Sequence, residues 1–315
     1  MAATPREDIA TSRPVGIVGL GIMGLAYARN LLKAGYRVVG TDPDAGRASA
    51  MHAAGGRIAA TPAEVASQCQ TILLALPTEA ALDSATVGEN GLARTAMSGA
   101  IVVEMGTFPI AAKLACRDAL APVGVTVLDC PVSGTGAQAA IGDLDVYASG
   151  PPEACRFVEP VLAALSRRVV YLGPFGTGMK FKFIANHLVT IHNLAAAEAL
   201  ALARKAGLDL QSVYDVVRTG AGASRMLDVR GPMMIGGRYE PPTMKIGTYM
   251  KDLELITEFA GSLGAATPLY SAALPYYKAA LDQGLGGQDT AAIFTTLDGP
   301  LAPDRPDPAR PRARD

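Results

Sequence analysis

The stretch PVGIVGLGIMGLAYARNLLKAG, residues 14–35, decides how the rest of the 315-residue chain is read. It opens with a short Val/Ile run of the kind that forms a buried strand and closes with the Ala/Leu composition of a helix. Between them Gly19, Gly21 and Gly24 form a G-x-G-x-x-G. Such glycines occur in many loops, so the motif is weak alone; directly between a strand and a helix it gains physical meaning. The first glycine permits a tight turn, the second lets backbone approach a pyrophosphate, and the third lets helix and strand pack closely. The helix N-terminus then offers N–H groups to an anion. Asp42 ends the next apolar run, RVVGTD, where a carboxylate accepts hydrogen bonds from both hydroxyls of an adenosine ribose. A carboxylate there repels a 2′-phosphate, so NAD is the expected cofactor, with NADP the second choice.

Downstream the same alternation continues. QTILLALP, AIVVEMGT, VTVLDCPV, LDVYASG and RVVYLG are strand candidates separated by Ala-rich helical stretches. Several are apolar throughout, as parallel strands covered by helices on both faces must be. After Pro174 the pattern changes to helices only: MKFKFIANHLVTIHNLAAAEALALARKAG ends at Gly207, a good C′ glycine, and four more helical segments follow. The expected fold is α/β: an N-terminal Rossmann-type doubly wound domain (14–174) and an all-α C-terminal domain (175–299), joined by a long helix. No fixed-period repeat suggests a solenoid. Residues 1–13 and the Pro- and Arg-containing segment 300–315 bury too little apolar surface to order themselves and are expected to be flexible tails.

Composition narrows the function classes. Half the residues are hydrophobic, 18% are charged and the formal net charge is -1, which gives no electrostatic reason to expect nucleic acid or an anionic membrane. No apolar run reaches the length of a membrane span, and residues 1–13 lack the core of a signal peptide. Cys69, Cys116, Cys130 and Cys155 form no CxxC pair, which fits reduced core thiols in a cytoplasmic protein. His187 and His192 are five apart, about 140° around a helix, so they form no ligand pair, and no metal is expected.

These segments, in this order, resemble the β-hydroxyacid dehydrogenase family, which includes 3-hydroxyisobutyrate dehydrogenase and tartronate semialdehyde reductase. The resemblance covers about Pro14 to Thr296. Gly19, Gly21 and Gly24, with Ile22 and Met23 between them, match the family's cofactor turn. LPTEAALDSATVGENGL resembles its loop after the third strand, which implies that Leu76, Pro77 and Thr78 lie near the nicotinamide ribose. In EMGTFP, Thr107 matches a cofactor-contacting threonine while Gly106 stands where a serine is usual. DCPVSGTGAQAAIGDL resembles the substrate motif, which implies a carboxylate site at Ser133, Gly134 and Thr135, with Thr135 in place of a second glycine. GTGMKFKFIANH resembles the catalytic helix: Lys182 and Asn186 match, and Ala185 replaces a frequent asparagine. YMKDLEL carries Lys251 and Asp252, and QDTAAI carries Asp289, both similar to second-domain motifs; Lys251 is assigned to closing over the cofactor.

Two lysines compete for the catalytic role. Residues four apart share a helix face, so Lys182 and Asn186 point into one space, whereas Lys180 and Asn186 do not. Phe181, Ile184 and Leu188 are read as the stripe that packs the helix, with Lys182 at its edge. A lysine enclosed beside a positively charged nicotinamide has its ammonium form disfavoured, which suits a general base for a hydroxyl proton. The expectation is hydride transfer between a nicotinamide cofactor and a small hydroxy acid or semialdehyde, with Lys182 moving the proton and Asn186 orienting the substrate. The departures at Gly106, Thr135 and Ala185 leave the particular acid open. Arg225 is read as a helix-cap or surface residue, and Glu198 as a packing or helix–helix residue. The alternatives are an imine reductase-like or a 6-phosphogluconate-type enzyme on the same fold, or a non-catalytic dinucleotide-binding regulator. The alanines Ala195 to Ala197, Ala199, Ala201 and Ala203 invite close packing between subunits, hence a homodimer or homotetramer.

Overall fold

A computed structural model describes residues 13–298. The expected tails, 1–13 and 300–315, fall outside the described residues apart from Arg13. Contacts divide the chain into two compact units, the first ending at Ala185 and the second beginning at Asn186. The division falls inside the long helix rather than at the expected boundary after Pro174. Its physical reason is that the helix's first turn is tied to the α/β unit: the Gly178 amide donates to Ser149 Oγ at 2.9 Å and the Met179 amide to Asp129 Oδ2 at 2.8 Å.

In the first unit six parallel strands form one sheet: β1 (Val15–Val18), β2 (Val38–Thr41), β3 (Arg57–Ile58), β4 (Thr71–Leu74), β5 (Ile101–Glu104) and β6 (Thr126–Asp129). Their order is β3-β2-β1-β4-β5-β6, and all five pairings are parallel. That order reverses direction at β1 and β4, which places the crevice of a doubly wound sheet at the carboxyl ends of those strands. Both faces are covered: Val15, Ile17, Leu73 and Val103 pack into one core, and Val18, Ile72, Leu74 and Val102 into the other. Burial on both sides is why these strands read as unbroken apolar runs.

The last three strand candidates do not all join this sheet. VTVLDCPV divides into β6 and a two-residue strand β7 (Val132–Ser133), which pairs antiparallel with β8 (Asp145–Ala148). β8 pairs in parallel with β9 (Arg168–Tyr171), completing a second, three-stranded sheet. The Cys130-Pro131 step separates the two pieces, because proline supplies no ladder donor.

The long helix spans Thr177–Lys205 and stops where expected: Gly207 has φ +74 and the Leu208 amide closes back on the Ala203 carbonyl at 3.0 Å. The second unit continues with helices Leu210–Val217, Arg225–Gly236, Ile246–Ser262, Pro268–Asp282 and Phe294–Asp298. Tyr249, Tyr270 and Tyr277 are fully or almost fully buried among them. Arg225 is exposed at the first position of its helix, with Ser224 as the N-cap, and Glu198 is exposed rather than packed. No helix among the described residues is long and apolar enough to cross a membrane.

One sequence expectation is overturned on the long helix. Phe181, Ile184 and Leu188 are 46%, 57% and 46% exposed and do not form its buried face, although the Phe181 ring lies 6.4 Å from that of Tyr147. Its buried face carries Met179, Lys182, Phe183, Asn186, Thr190, Asn193 and Ala197 instead. Four of those side chains are polar, and the partners given below explain how three of them tolerate burial. The alanines also divide: Ala196, Ala197 and Ala203 are buried, while Ala195 and Ala199 are exposed.

Candidate active site

The glycine turn has the shape of a phosphate cradle. Gly19 has φ +92, a backbone region that side chains disfavour, and a Cβ there would lie 2.4 Å from the Ala75 carbonyl oxygen. A Cβ on Gly24 would lie 1.9 Å from the Gly19 carbonyl oxygen, so this glycine is required for the helix to meet the turn. Gly21 differs from both. Its φ of -63 suits any residue and a Cβ would meet nothing within 4 Å. It is also the N-cap of helix Ile22–Lys33, with no side chain capping the first turn, and Ile22 beside it is 76% exposed. An uncapped helix N-terminus facing open space is a site for an anion, so these residues fit a dinucleotide's pyrophosphate.

Asp42 follows β2 directly. Its Oδ2 accepts from the Leu20 amide at 2.7 Å and its Oδ1 from the Asp44 amide at 2.9 Å, while Arg47 Nη1 stands 3.6 Å from Oδ2. The carboxylate is therefore fixed in place beside the glycine turn. Leu76, Pro77 and Thr78 follow β4; Thr78 caps helix Glu79–Val87 by accepting from the Ala81 amide at 3.1 Å. Thr107 follows β5 through Gly106. A Cβ on Gly106 would lie 2.4 Å from Phe108 Cε2 and 2.7 Å from Glu104 Oε1, so the buried Phe108 ring requires glycine where serine is usual.

Ser133 ends β7 and Gly134 has φ +142, with Leu144 Cδ2 only 2.4 Å from where its Cβ would be. Thr135 is the N-cap of helix Gly136–Ala140 in a capping box with Gln138. Its amide donates to Gln138 Oε1 at 3.0 Å and its hydroxyl accepts from the Gln138 amide at 3.4 Å. The departure from glycine thus has a local role, stiffening the turn that follows Ser133.

On the long helix Lys182 is 9% exposed, whereas Lys180 is exposed. Asn186 stands one turn on from Lys182 on the same face, 7% exposed. In the second unit its Nδ2 donates to Asp252 Oδ2 at 2.9 Å, and its backbone carbonyl accepts from the Tyr249 hydroxyl at 3.0 Å. Thr190 meets the Tyr249 hydroxyl at 2.9 Å, and Asn193 donates to the Tyr277 hydroxyl and the Thr290 carbonyl, each at 2.9 Å. Lys251 is half-buried next to Asp252 on helix Ile246–Ser262. Asp289 is fully buried; Thr243, Met244 and Ala291 donate to it, and Arg230 lies 3.5 Å away. It braces the second unit rather than facing a ligand.

Sequence reasoning missed one cluster of charged groups in the first unit. Glu104, Lys113 and Asp129 are each 0% exposed, and the Lys113 ammonium lies 2.6 Å from Glu104 Oε2 and 2.7 Å from Asp129 Oδ1. Burial alone would lower the Lys113 pKa, but the Glu104 and Asp129 carboxylates outweigh it and hold the ammonium up at about 12. Burial pushes the Glu104 carboxyl up, against the pull of Lys113. The signal available in the sequence was the placement of both acids at the ends of apolar strands. No group of three or more His, Cys, Asp or Glu side chains among the described residues is arranged to hold a metal.

Comparison with known proteins follows the same lines. Residues 14–173 match the family model of the NAD binding domain of 6-phosphogluconate dehydrogenase. Residues 176–297 match that of the NAD-binding domain of NADP-dependent 3-hydroxyisobutyrate dehydrogenase. The chain is 36% identical to L-threonate dehydrogenase of Cupriavidus necator, over 91% of this chain and 97% of that protein. It is 30% identical to the chloroplastic glyoxylate/succinic semialdehyde reductase 2 of Arabidopsis thaliana, over 93% of this chain and 81% of that one. The crystal structure of a 3-hydroxyisobutyrate dehydrogenase from Salmonella typhimurium superposes with a TM-score of 0.81 at 33% identity, covering 90% of this chain and 100% of that one.

Proposed function

The chain belongs to the β-hydroxyacid dehydrogenase family of NAD(P)-dependent oxidoreductases acting on CH–OH groups, and from that premise we propose that it oxidises a small polyhydroxy acid of the threonate type with Lys182 as the proton carrier. One observation carries the assignment of roles: of Lys180 and Lys182, only Lys182 is buried and shares a helix face with Asn186. The nicotinamide cofactor, when bound, accepts or supplies the hydride. The glycine turn and the uncapped N-terminus of helix Ile22–Lys33 bind its pyrophosphate, and Asp42 holds the adenosine ribose. Asp42 supports NAD over NADP, because a second negative charge close to a fixed carboxylate is repelled. Ser133 and Gly134 receive the substrate carboxylate, Asn186 orients the hydroxyl-bearing carbon, and Lys182 takes the hydroxyl proton at Nζ.

The test is turnover with NAD on a panel of small hydroxy acids that includes threonate, compared between the native enzyme and two variants. Removing a general base lowers kcat by about 10² to 10⁴. Lys182→Ala is expected to show that loss while binding NADH normally, and Lys180→Ala to remain close to native. Equal losses from both substitutions overturn the assignment.

Two further readings belong here. The exposed Phe181, Ile184, Leu188 and Leu202 lie along one helix and support a homodimer or homotetramer, which a monomeric mass in solution would exclude. The four cysteines are buried and unpaired, which supports a reducing cytoplasm.

A further inference from the structure

We propose that Asp129, held by Lys113, is a displaced N-cap for the helix that carries Lys182 and so acts as a positioning residue for that lysine. The proposal rests on the assignment of Lys182 given above.

The helix Thr177–Lys205 begins after Gly176, which has φ +89 and no side chain to offer its first amides. Most helices satisfy those amides with a Ser, Thr, Asp or Asn at the N-cap. Here the sheet supplies the cap. Asp129, the last residue of β6, accepts from the Met179 amide at 2.8 Å, and Ser149 Oγ accepts from the Gly178 amide at 2.9 Å. Ser149 in turn donates to Asp129 Oδ2 at 3.0 Å. The approach is close: a Cβ on Gly178 would lie 2.4 Å from the Tyr147 carbonyl oxygen and 2.8 Å from that of Asp129. Lys182 follows Met179 by three residues, within one turn of the capped amide. A shift of the cap therefore moves the amine with it.

The other oxygen of Asp129 is held by Lys113, which extends from helix Ile110–Leu120 between two neighbouring strand ends. Glu104 and Asp129 are register partners at the carboxyl ends of β5 and β6, so both side chains meet the same lysine. Glu104 uses its Oε1 to accept from the Gly106 amide at 2.7 Å, next to Thr107. One ammonium thus lies between the anchor of the cofactor loop and the anchor of the catalytic helix. Asp129 stands between the Lys113 ammonium and the positive end of the helix, both of which favour its carboxylate. Replacing such a network by apolar side chains is often neutral for stability, so its presence points to specification of geometry.

The experiment compares Asp129→Asn, Asp129→Ala and Ser149→Ala with the native enzyme and with Lys182→Ala, in the full chain with NAD and an active hydroxy acid. Active-site concentration is set by NADH titration, so that kcat is read per binding-competent site. A misplacement of about 1 Å lowers rate by about 100-fold. Asp129→Ala is expected to lose kcat on that scale with NADH affinity unchanged. Asp129→Asn keeps one acceptor for the Met179 amide and recovers part of the loss, and Ser149→Ala shows a smaller fall in the same direction. If Asp129→Ala does not fold, the Asn and Ser149 variants decide the matter. Native kcat per site in both of those, or losses explained wholly by weaker NADH binding, overturns the proposal. Turnover surviving in Lys182→Ala would instead overturn the assignment of the lysine, a separate result.

Discussion

The side-chain amide of Asn186 donates to the Asp252 carboxylate at 2.9 Å, across two helices of the second unit. This bond fixes which way the amide faces. If Asn186 meets the substrate as proposed, this bond leaves Oδ1 and the second Nδ2 hydrogen as the groups that can orient a substrate hydroxyl. A hydrogen bond to a charged group contributes about 1.5–3 kcal/mol, which corresponds to about tenfold to hundredfold in rate or affinity. Asp252→Ala is expected to lower kcat/KM for the hydroxy acid within that range and to leave NADH affinity unchanged. Steady-state kinetics beside NADH fluorescence titration measure both, and an unchanged kcat/KM would remove Asp252 from the orienting role.

The glycine turn allows fold and ligand binding to be separated. Gly24→Ala places a methyl 1.9 Å from a carbonyl oxygen, so the helix must move, and overpacking of this kind destabilises by about 1–3 kcal/mol or more. Gly21→Ala adds a methyl in open space at an ordinary φ. Its thermal midpoint is expected to match the native protein while its NADH dissociation constant rises severalfold. A Gly21→Ala variant that loses stability, or that keeps full NADH affinity, would contradict the reading of that space as the pyrophosphate site.

The turn was legible in the sequence because Gly19 and Gly24 answer backbone constraints, and backbone constraints leave residue-type signatures. The packing face of the long helix was not. Phe181, Ile184 and Leu188 recur at helical spacing, but so do Lys182, Asn186, Thr190 and Asn193, and hydropathy alone sends the polar set outward. Burial of Asn186, Thr190 and Asn193 depends on Asp252, Tyr249, Tyr277 and Thr290, which lie about sixty to a hundred positions further on. The ion cluster was hidden for the same reason. Glu104, Lys113 and Asp129 meet only after β5, its following helix and β6 have formed. The second sheet was concealed differently, since β7 contains only two residues and carries almost no periodicity.

Asp42 sets the expectation for cofactor choice. Amide donors from Leu20 and Asp44 hold its carboxylate, and Arg47 is the nearest cation. Asp42→Asn removes the charge while preserving acceptor capacity on one oxygen. The variant is expected to gain affinity for NADP by about fivefold to tenfold, the scale of the ~1 kcal/mol between unit charges about 4 Å apart in water. Arg47 then becomes available to the 2′-phosphate. The ratio of kcat/KM for NAD and NADP measures the change, and a ratio unaltered by the substitution would dissociate Asp42 from cofactor selection.

Asp289 predicts how the second unit responds to acid. Burial alone would raise its pKa, but hydrogen bonds from the Thr243 hydroxyl and the Ala291 amide, together with Arg230, outweigh it and hold the carboxyl below its ordinary value. A carboxyl depressed in the folded state adds stability that is present above its unfolded pKa of about 3.9 and is lost as pH falls through the folded value. Asp289→Asn leaves Arg230, only 4% exposed, without its anion. Breaking a buried pair in this way destabilises by about 3–5 kcal/mol. The difference in unfolding free energy between native and variant is therefore expected to be largest near neutral pH and to shrink below about pH 4. Urea unfolding across that pH range measures it. A difference that stays constant down to strong acid would show that Asp289 stabilises the second unit through packing rather than through its charge.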